Sequence, residues 1–533
     1  MSLSFLNIGQ LSPRQRRIWF FVLLSVLVLM IVQYARLLAA EISYSEAIQH
    51  REGGGDALWS VWKRMYGYPV YTDAWELPFS NSNYNFLFYD FYAFTNLIVM
   101  KALHLGDEWM QVISSHVSLL CSLLGAWFFS RSASNLLEKG PHQAGAALVR
   151  IAIICAAVAV SFGPMLEEVP TTQVSHPGAF MLQMLAFLLL LRREGTGKRT
   201  TLSLLPIVVA CYLSWAFRQT YVELPVAFVI YLATQRRWKE IAIYSLSLWA
   251  LFGVTFWLMR DTFYWQNTVF VPTLEDWSLR GAIVPFLHLA AKAPQSIAGL
   301  LIIVWSLAFG QKRTGTSLLL LFAGITAFIL NMLASTKPGG HCSYYLPFSA
   351  YAMLLLLEAV FVPRENQSAL DSSSNRKIVF STLFYITFIV LGAAAIFGIK
   401  NRSADRHEHY VVAELKASLD GLPRPVYVSN SWLYNMPWLI KTDTPIVRAW
   451  LHSSLKKTGR KPAHGGVEGL EEMAWFGTVA IPIDTAADDP VLLRITPHYH
   501  QVKTDDYHAY WTRKSDVVPP EINAPVYKWP AHD

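Results

Sequence analysis

The sequence predicts a polytopic α-helical membrane protein with a small α/β or α+β domain after its last span. Three observations predict it. Of 533 residues, 53% are hydrophobic and only 15% charged, and mean hydropathy is +0.31, whereas soluble domains carry about 25% charged residues. Apolar runs of roughly 20 residues, the length that crosses a bilayer core, recur along the first 400 residues. Basic residues gather in alternate loops between those runs, as the positive-inside rule requires. The formal charge of +7 is accounted for by those loops and needs no nucleic-acid partner.

The candidate spans are 18–40, 113–130, 147–165, 174–191, 201–217, 220–235, 241–259, 295–310, 317–335, 343–362 and 377–399, about 11 in all. The run 18–40 is too long for a signal-peptide core and lacks a good cleavage context, so it reads as an uncleaved first span. Segments 201–217 and 220–235 are short and separated by Arg218-Gln219. They suit either a pair of short spans or helices that do not fully cross.

Alternation from a cytoplasmic N-terminus tests the count. The inner segments then hold Arg14, Arg16 and Arg17; Arg131 and Lys139; Arg192, Arg193, Lys198 and Arg199; Arg236, Arg237 and Lys239; Lys312 and Arg313; and Arg364, Arg376 and Lys377. The short outer turns hold little beyond Arg218 and Lys337. The N-terminus is therefore expected inside and the C-terminus outside. Three longer regions face outward: 41–112, 260–294 and 401–533. Within the first, 86–105 is apolar and aromatic but broken by Asp90. As a full span it would reverse every later loop, so it is expected to lie at the interface or re-enter. Segment 260–294, with Trp265, Trp277 and Phe286, is expected to be similar.

After residue 400 the composition changes. The segments 425–429 (PVYVS) and 478–483 (TVAIPI) read as short buried strands, 410–419 and 467–473 as helices, and 499–514 as a hairpin turning at Asp505-Asp506. Residues 1–400 thus form a membrane domain and 401–533 an outer-face domain. The four cysteines, Cys121, Cys155, Cys211 and Cys342, are scattered without metal-ligand spacing, which predicts neither a structural zinc nor a disulfide framework.

Four stretches carry a resemblance to a known family. The acidic loop after the first span reads GGDALWSVWKRMYGYPVYTDAWELPF and is followed by the aromatic YNFLFYDFYAF. Further on come the turn AFRQTYVELP and the element STKPGGHCSYYLPF. In this order they resemble the GT-C glycosyltransferases of the family 39 type, relatives of protein O-mannosyltransferases and the lipid A aminoarabinose transferase. Two departures stand out. Asp56 is followed by Ala57 where relatives often have an Asp-Glu pair, and VSHPGAF, with His176, replaces an Arg-x-x-Asp element. The base is thus open between Asp56, Glu41 and Glu46.

The resemblance implies an inverting transfer of sugar from a polyprenyl phosphate to a lipid, glycan or protein acceptor. It also implies the inner membrane of a bacterium, with the C-terminal domain periplasmic. A phosphate leaving group is already anionic, so the site must supply hydrogen-bond donors where negative charge grows and a carboxylate to take the acceptor proton. Ionisable groups at outer span ends are costly unless used. Arg218, between two apolar segments, has a fork suited to phosphate, against plain snorkelling to headgroups. Lys337 and His341 flank Gly339-Gly340, beside Tyr344 and Tyr345, a set suited to an anion or to a membrane aromatic belt. Asp56 follows three glycines and suits a base or a helix cap. Glu41 suits a base or a marker of the membrane boundary. Glu167, Glu168 and His176 are candidates for acceptor contact; the paired carboxylates would also suit a divalent cation, or a solvated loop. A flippase for lipid-linked saccharide and a glycan polymerase or ligase are the competing readings.

Overall fold

The computed structural model describes residues 12–43, 55–79, 82–137, 146–162, 175–197, 200–274, 276–308, 313, 315–337, 342–362, 372–400, 415, 417–429 and 458–525. Helices dominate up to residue 400. They are α1 (Pro13–Ser43), α2 (Gly55–Met65), α3 (Phe86–Leu103), α4 (Met110–Leu137), α5 (Ala146–Phe162), α6 (His176–Thr196), α7 (Leu205–Phe217) and α8 (Glu223–Thr234). After these come α9 (Trp238–Leu258), a π-helical turn Gln266–Phe270 running into α10 (Val271–Thr273), α11 (Leu279–Lys292), α12 (Gln295–Ala308) and α13 (Gly315–Ser335). A 3-10 turn Cys342–Tyr345 leads into α14 (Leu346–Phe361), and α15 (Ser372–Lys400) ends the bundle.

Among the described residues, six helices are long and apolar enough to cross a membrane, or seven if the pair α11 and α12, bent by 111°, is one broken span. This is fewer than the eleven runs expected. Of the expected runs, those in α5, α7, α8 and part of α15 form apolar but shorter helices, and α6 is not among the six, whereas α3, not expected to span, is. Segments 201–217 and 220–235 do form two short helices, broken at residues 218–222.

α3 meets the length and composition of a span, although an interfacial position was expected. Both of its ends make polar contacts with the segment before it. Arg64, at the end of α2, pairs with Asp90 near the start of α3. Just past the far end of α3, Asp107 accepts hydrogen bonds from Trp62 Nε1 and Tyr66 Oη. Both ends of α3 are thus tied to the same short helix, α2, and to the residue that follows it.

α14 is the central element, with nearly every residue from Leu346 to Leu357 buried. Close approach of its neighbours depends on small residues, as in membrane helix pairs generally. A Cβ on Gly299 of α12 would lie 2.2 Å from Cβ of Ala352. On the opposite flank Gln183 of α6 donates to Tyr351 Oη at 3.0 Å. Ion pairs close the bundle at the end where α6 stops. Buried Glu194 takes Arg193 at 2.8 Å and Arg237 at 2.7 Å, with Tyr231 Oη at 3.0 Å, and Glu240 joins the same arginines. Arg313 meets Glu358 at 2.8 Å. These arginines are among the basic residues expected on the inner side. They lie near helix ends remote from Arg218.

The C-terminal sheet has the order β1-β2-β4-β3, from β1 (Val426–Val428), β2 (Thr478–Pro482), β3 (Tyr499–Thr504) and β4 (His508–Arg513). β1 and β2 are parallel and the other pairs antiparallel. Two short helices, α16 (Gly466–Glu472) and α17 (Pro490–Ile495), flank it. Both expected strands, the helix near 467–473 and the hairpin are present. Period-2 alternation divides the faces. Val426, Val428, Ala480 and Tyr510 join the main hydrophobic cluster, whereas Tyr427, Val479, Ile481 and Ala509 pack with α16, α17 and Phe79. Phe79 belongs to the loop after α1, and the same loop meets the domain through Asp73–Arg460 at 3.0 Å and Ala463 N–H to Trp75 O at 2.8 Å.

Two expectations follow. Gly299→Leu should lower the thermal midpoint by an overpacking cost of about 1–3 kcal/mol or more, whereas Gly253→Leu, where a Cβ meets nothing within 4 Å, should leave it unchanged. The second concerns pH. Burial lowers the pKa of His508, with Asp505 opposing only in part. Burial alone would raise Asp505, yet hydrogen bonds from Tyr510 Oη and the amides of Tyr507 and His508 hold it low. A depressed folded pKa contributes stability present above the unfolded value and lost as pH falls. The domain should therefore weaken below about pH 6.5, and His508→Leu should flatten that first part of the profile, read by thermal melts at each pH.

Candidate functional site

The break between α7 and α8 positions the central side chain. α7 ends because Arg218 turns to extended backbone (φ −148°, ψ 120°) while its N–H still bonds Ser214 O. The chain closes a tight turn with Tyr221 N–H on Arg218 O at 3.1 Å and restarts as α8. Pro225 lies in the first turn of α8, where a missing N–H costs nothing. Gln219, at the tip, donates to Asn83 O at 2.6 Å and so draws the end of the first loop over the break.

Arg218 is only 5% exposed. Nη1 donates to Ser175 Oγ at 3.0 Å and Nε to Thr220 Oγ1 at 3.3 Å, both neutral hydroxyls. Its guanidinium carbon lies 4.6 Å from the centre of the Tyr344 ring and 5.4 Å from that of Tyr84. Among the described residues no carboxylate pairs with it, and its second terminal nitrogen makes no hydrogen bond. Burying a cation without a counter-charge costs several kcal/mol; cation–π contacts return about 2 kcal/mol when desolvated. The balance favours an anion at the open edge of the fork.

His176 stands beside this clamp. It is the first residue of α6 and fully buried, with Nδ1 3.1 Å from Tyr221 Oη and its ring edge-on to Tyr344 at 5.7 Å. Gly178, one turn below, lets Phe217 of α7 close in: a Cβ there would lie 2.4 Å from the ring. That contact holds the start of α6 against the end of α7, which is why Ser175 reaches Arg218. On the loop side, Asn85 caps α3, donates to Trp215 O and accepts from Tyr264 Oη at 2.7 Å. Tyr71 Oη donates to Tyr84 O at 3.0 Å.

Three candidates from separate parts of the sequence, His176, Arg218 and Tyr344, therefore meet. Others are elsewhere. Lys337 Nζ donates to Pro272 O at 2.9 Å and lies over Trp277. Tyr345 turns from its neighbour into the bundle, where Oη donates to Ala282 O at 3.0 Å and meets Ser335 Oγ at 2.9 Å. Glu41 and Asp56 lie on described backbone, in the last turn of α1 and the first turn of α2, but their side chains lie outside the described residues. So do Glu46, Glu167, Glu168 and His341 entirely. Among the described residues no group of three or more His, Cys, Asp or Glu could hold a metal ion. Sequence reasoning missed Tyr84, Ser175 and Tyr221. All three lie in stretches it singled out: Tyr84 opens the aromatic YNFLFYDFYAF, Ser175 is beside His176, and Tyr221 is in AFRQTYVELP.

No family model matches the chain, and no curated protein matches it. Solved structures do. ArnT from Cupriavidus metallidurans bound to undecaprenyl phosphate aligns with a TM-score of 0.54 at 13% identity, covering 92% of this chain and 99% of that one. Its apo state aligns at 0.52 and 12%, covering 93% and 99%. The archaeal oligosaccharyltransferase AglB from Archaeoglobus fulgidus, in complex with an inhibitory peptide and a dolichol-phosphate, aligns at 0.51 and 11%, covering 97% of this chain and 76% of that one. Identities this low speak for architecture alone, and the chain shares the fold of these structures.

Proposed function

We propose that this chain is an integral-membrane glycosyltransferase that moves a sugar from a polyprenyl-phosphate donor to a lipid, glycan or protein acceptor, with inversion, on the outer side of the membrane. The observation that carries the reading is the buried Arg218 fork, stacked by Tyr84 and Tyr344 and left without a carboxylate among the described residues. The likeness to structures that hold undecaprenyl phosphate or dolichol-phosphate supports the same class of ligand. With basic residues at the remote helix ends, the positive-inside rule puts the Arg218 end outside, in the periplasm if the cell is a bacterium.

In this reading the donor phosphate lies against Arg218. The bond between the sugar C1 and the phosphate oxygen breaks, and the electron pair leaves with the phosphate. Arg218 stabilises that growing charge, with the hydroxyls of Thr220 and Ser175 orienting the fork. A phosphate needs little protonation as it leaves, so a strong general acid is unnecessary. The acceptor hydroxyl attacks C1 from the opposite face and gives its proton to a carboxylate, for which Asp56 at the start of α2 is preferred over Glu41 and Glu46. Glu167 and Glu168, before α6, are assigned to the acceptor or to a divalent cation, and His176 to the acceptor side of the phosphate. Lys337 and His341 remain candidates for the donor's approach.

Arg218→Ala should weaken binding of undecaprenyl phosphate and lower transfer about 100-fold or more, the scale seen for a lost charge-stabilising donor. Arg218→Lys should recover only part, because an ammonium lacks the planar fork. Asp56→Asn should lower kcat while leaving undecaprenyl phosphate binding intact. Wild-type binding and transfer in Arg218→Ala would overturn the phosphate assignment. Movement of lipid-linked saccharide across proteoliposomes, with no glycosyl transfer, would replace an enzyme with a flippase.

A further inference from the structure

Behind the Arg218 clamp, one buried amide joins the two turns that form it. Asn331, near the end of α13 and 1% exposed, donates from Nδ2 to Glu223 Oε1 at 2.6 Å. On its other side, Oδ1 accepts from Phe348 N–H at 3.2 Å. Glu223 is the first residue of α8, five positions after Arg218, and is fully buried. Phe348 is in the first turn of α14, four positions after Tyr344. Amides in the first turn of a helix have no intrahelical acceptor, so Asn331 fills a need there while it ties down the carboxyl. Thr326 Oγ1, one turn and a half earlier on α13, adds a bond to Glu223 O at 3.1 Å.

A polar triad in an apolar bundle is expensive unless its bonds are made. Its placement gives a reason for its presence. The turn carrying Arg218 and the turn carrying Tyr344 lie 126 residues apart, and helix packing alone lets such turns slide. We infer that Asn331 and Glu223 are positioning residues that set the separation between the guanidinium and the Tyr344 ring. Anion affinity is thereby fixed from within the bundle. This rests on the reading of Arg218 as the phosphate site.

The test uses the full-length protein and undecaprenyl phosphate as the probe. Asn331→Leu and Glu223→Leu should each raise its Kd about tenfold, the scale of one buried hydrogen bond lost. Glu223→Gln keeps the accepting oxygen and should recover most of that affinity. On an Arg218→Ala background Asn331→Leu should cost nothing further, because its effect runs through the guanidinium. Should Asn331→Leu fail to fold, the near-isosteric Thr326→Val removes the second tie and should weaken binding in the same direction. Wild-type affinity in Asn331→Leu, Glu223→Leu and Thr326→Val, with Arg218→Ala defective, would overturn the brace alone. An equal loss on both backgrounds would also overturn it, as a general packing defect. Wild-type affinity in Arg218→Ala would overturn the phosphate reading and the brace with it.

Discussion

A guanidinium held almost out of reach of water, between two phenol rings, imposes conditions on everything around it. The cation must be desolvated to bind an anion strongly, yet it must not be neutralised by a neighbouring carboxylate. Among the described residues no carboxylate is in ion-pair contact with it, and the chain achieves this by ending one helix and starting another at Arg218. Short α7 and α8 are the consequence: a continuous helix would have turned the side chain toward lipid or into the packed core. The neutral hydroxyls of Ser175 and Thr220 orient the fork without cancelling its charge. Gly178 then becomes a condition of the site, since only a bare Cα lets Phe217 approach closely enough to bring Ser175 into range.

The remainder of the bundle separates charge by place. Carboxylates and arginines at the remote ends of α6, α8 and α14 satisfy one another in compact networks. At the opposite end the arginine is stacked rather than paired. A fully satisfied buried network contributes order more than net stability, and the contrast between the ends is what gives this bundle a directional interior. The outer architecture follows the same economy. Before α3, Tyr84 lies over the guanidinium of Arg218.

Much of this was legible because ions in apolar runs are costly and therefore conspicuous. Arg218 and His176 stood out on that ground, and the strands of the C-terminal sheet stood out by β-branched alternation. What stayed hidden depended on direction. Tyr344 and Tyr345 are adjacent, but a 3-10 turn sends one ring to Arg218 and the other into the bundle, and no spacing rule separates them in advance. Lys337 looked equivalent to Arg218 until Pro272 and Trp277 proved to be its neighbours. Asn331 was silent for a different reason. A lone amide in an apolar run acquires meaning only when its two partners are seen to come from different turns. Apolar runs outnumber the helices long enough to cross, since such runs continue through breaks that shorten the helices themselves.

The loop over the site has its own timetable. Asp73, Trp75 and Phe79 lie in the first sixth of the chain, and their partners Arg460, Ala463 and the cluster of α16 and α17 come almost at its end. During synthesis the helices that carry Arg218 and Tyr344 are complete well before those partners leave the ribosome. The cover of the site is therefore the last part to be fastened. Until translation is nearly finished, the bundle holds its cation in place beneath an unsecured loop.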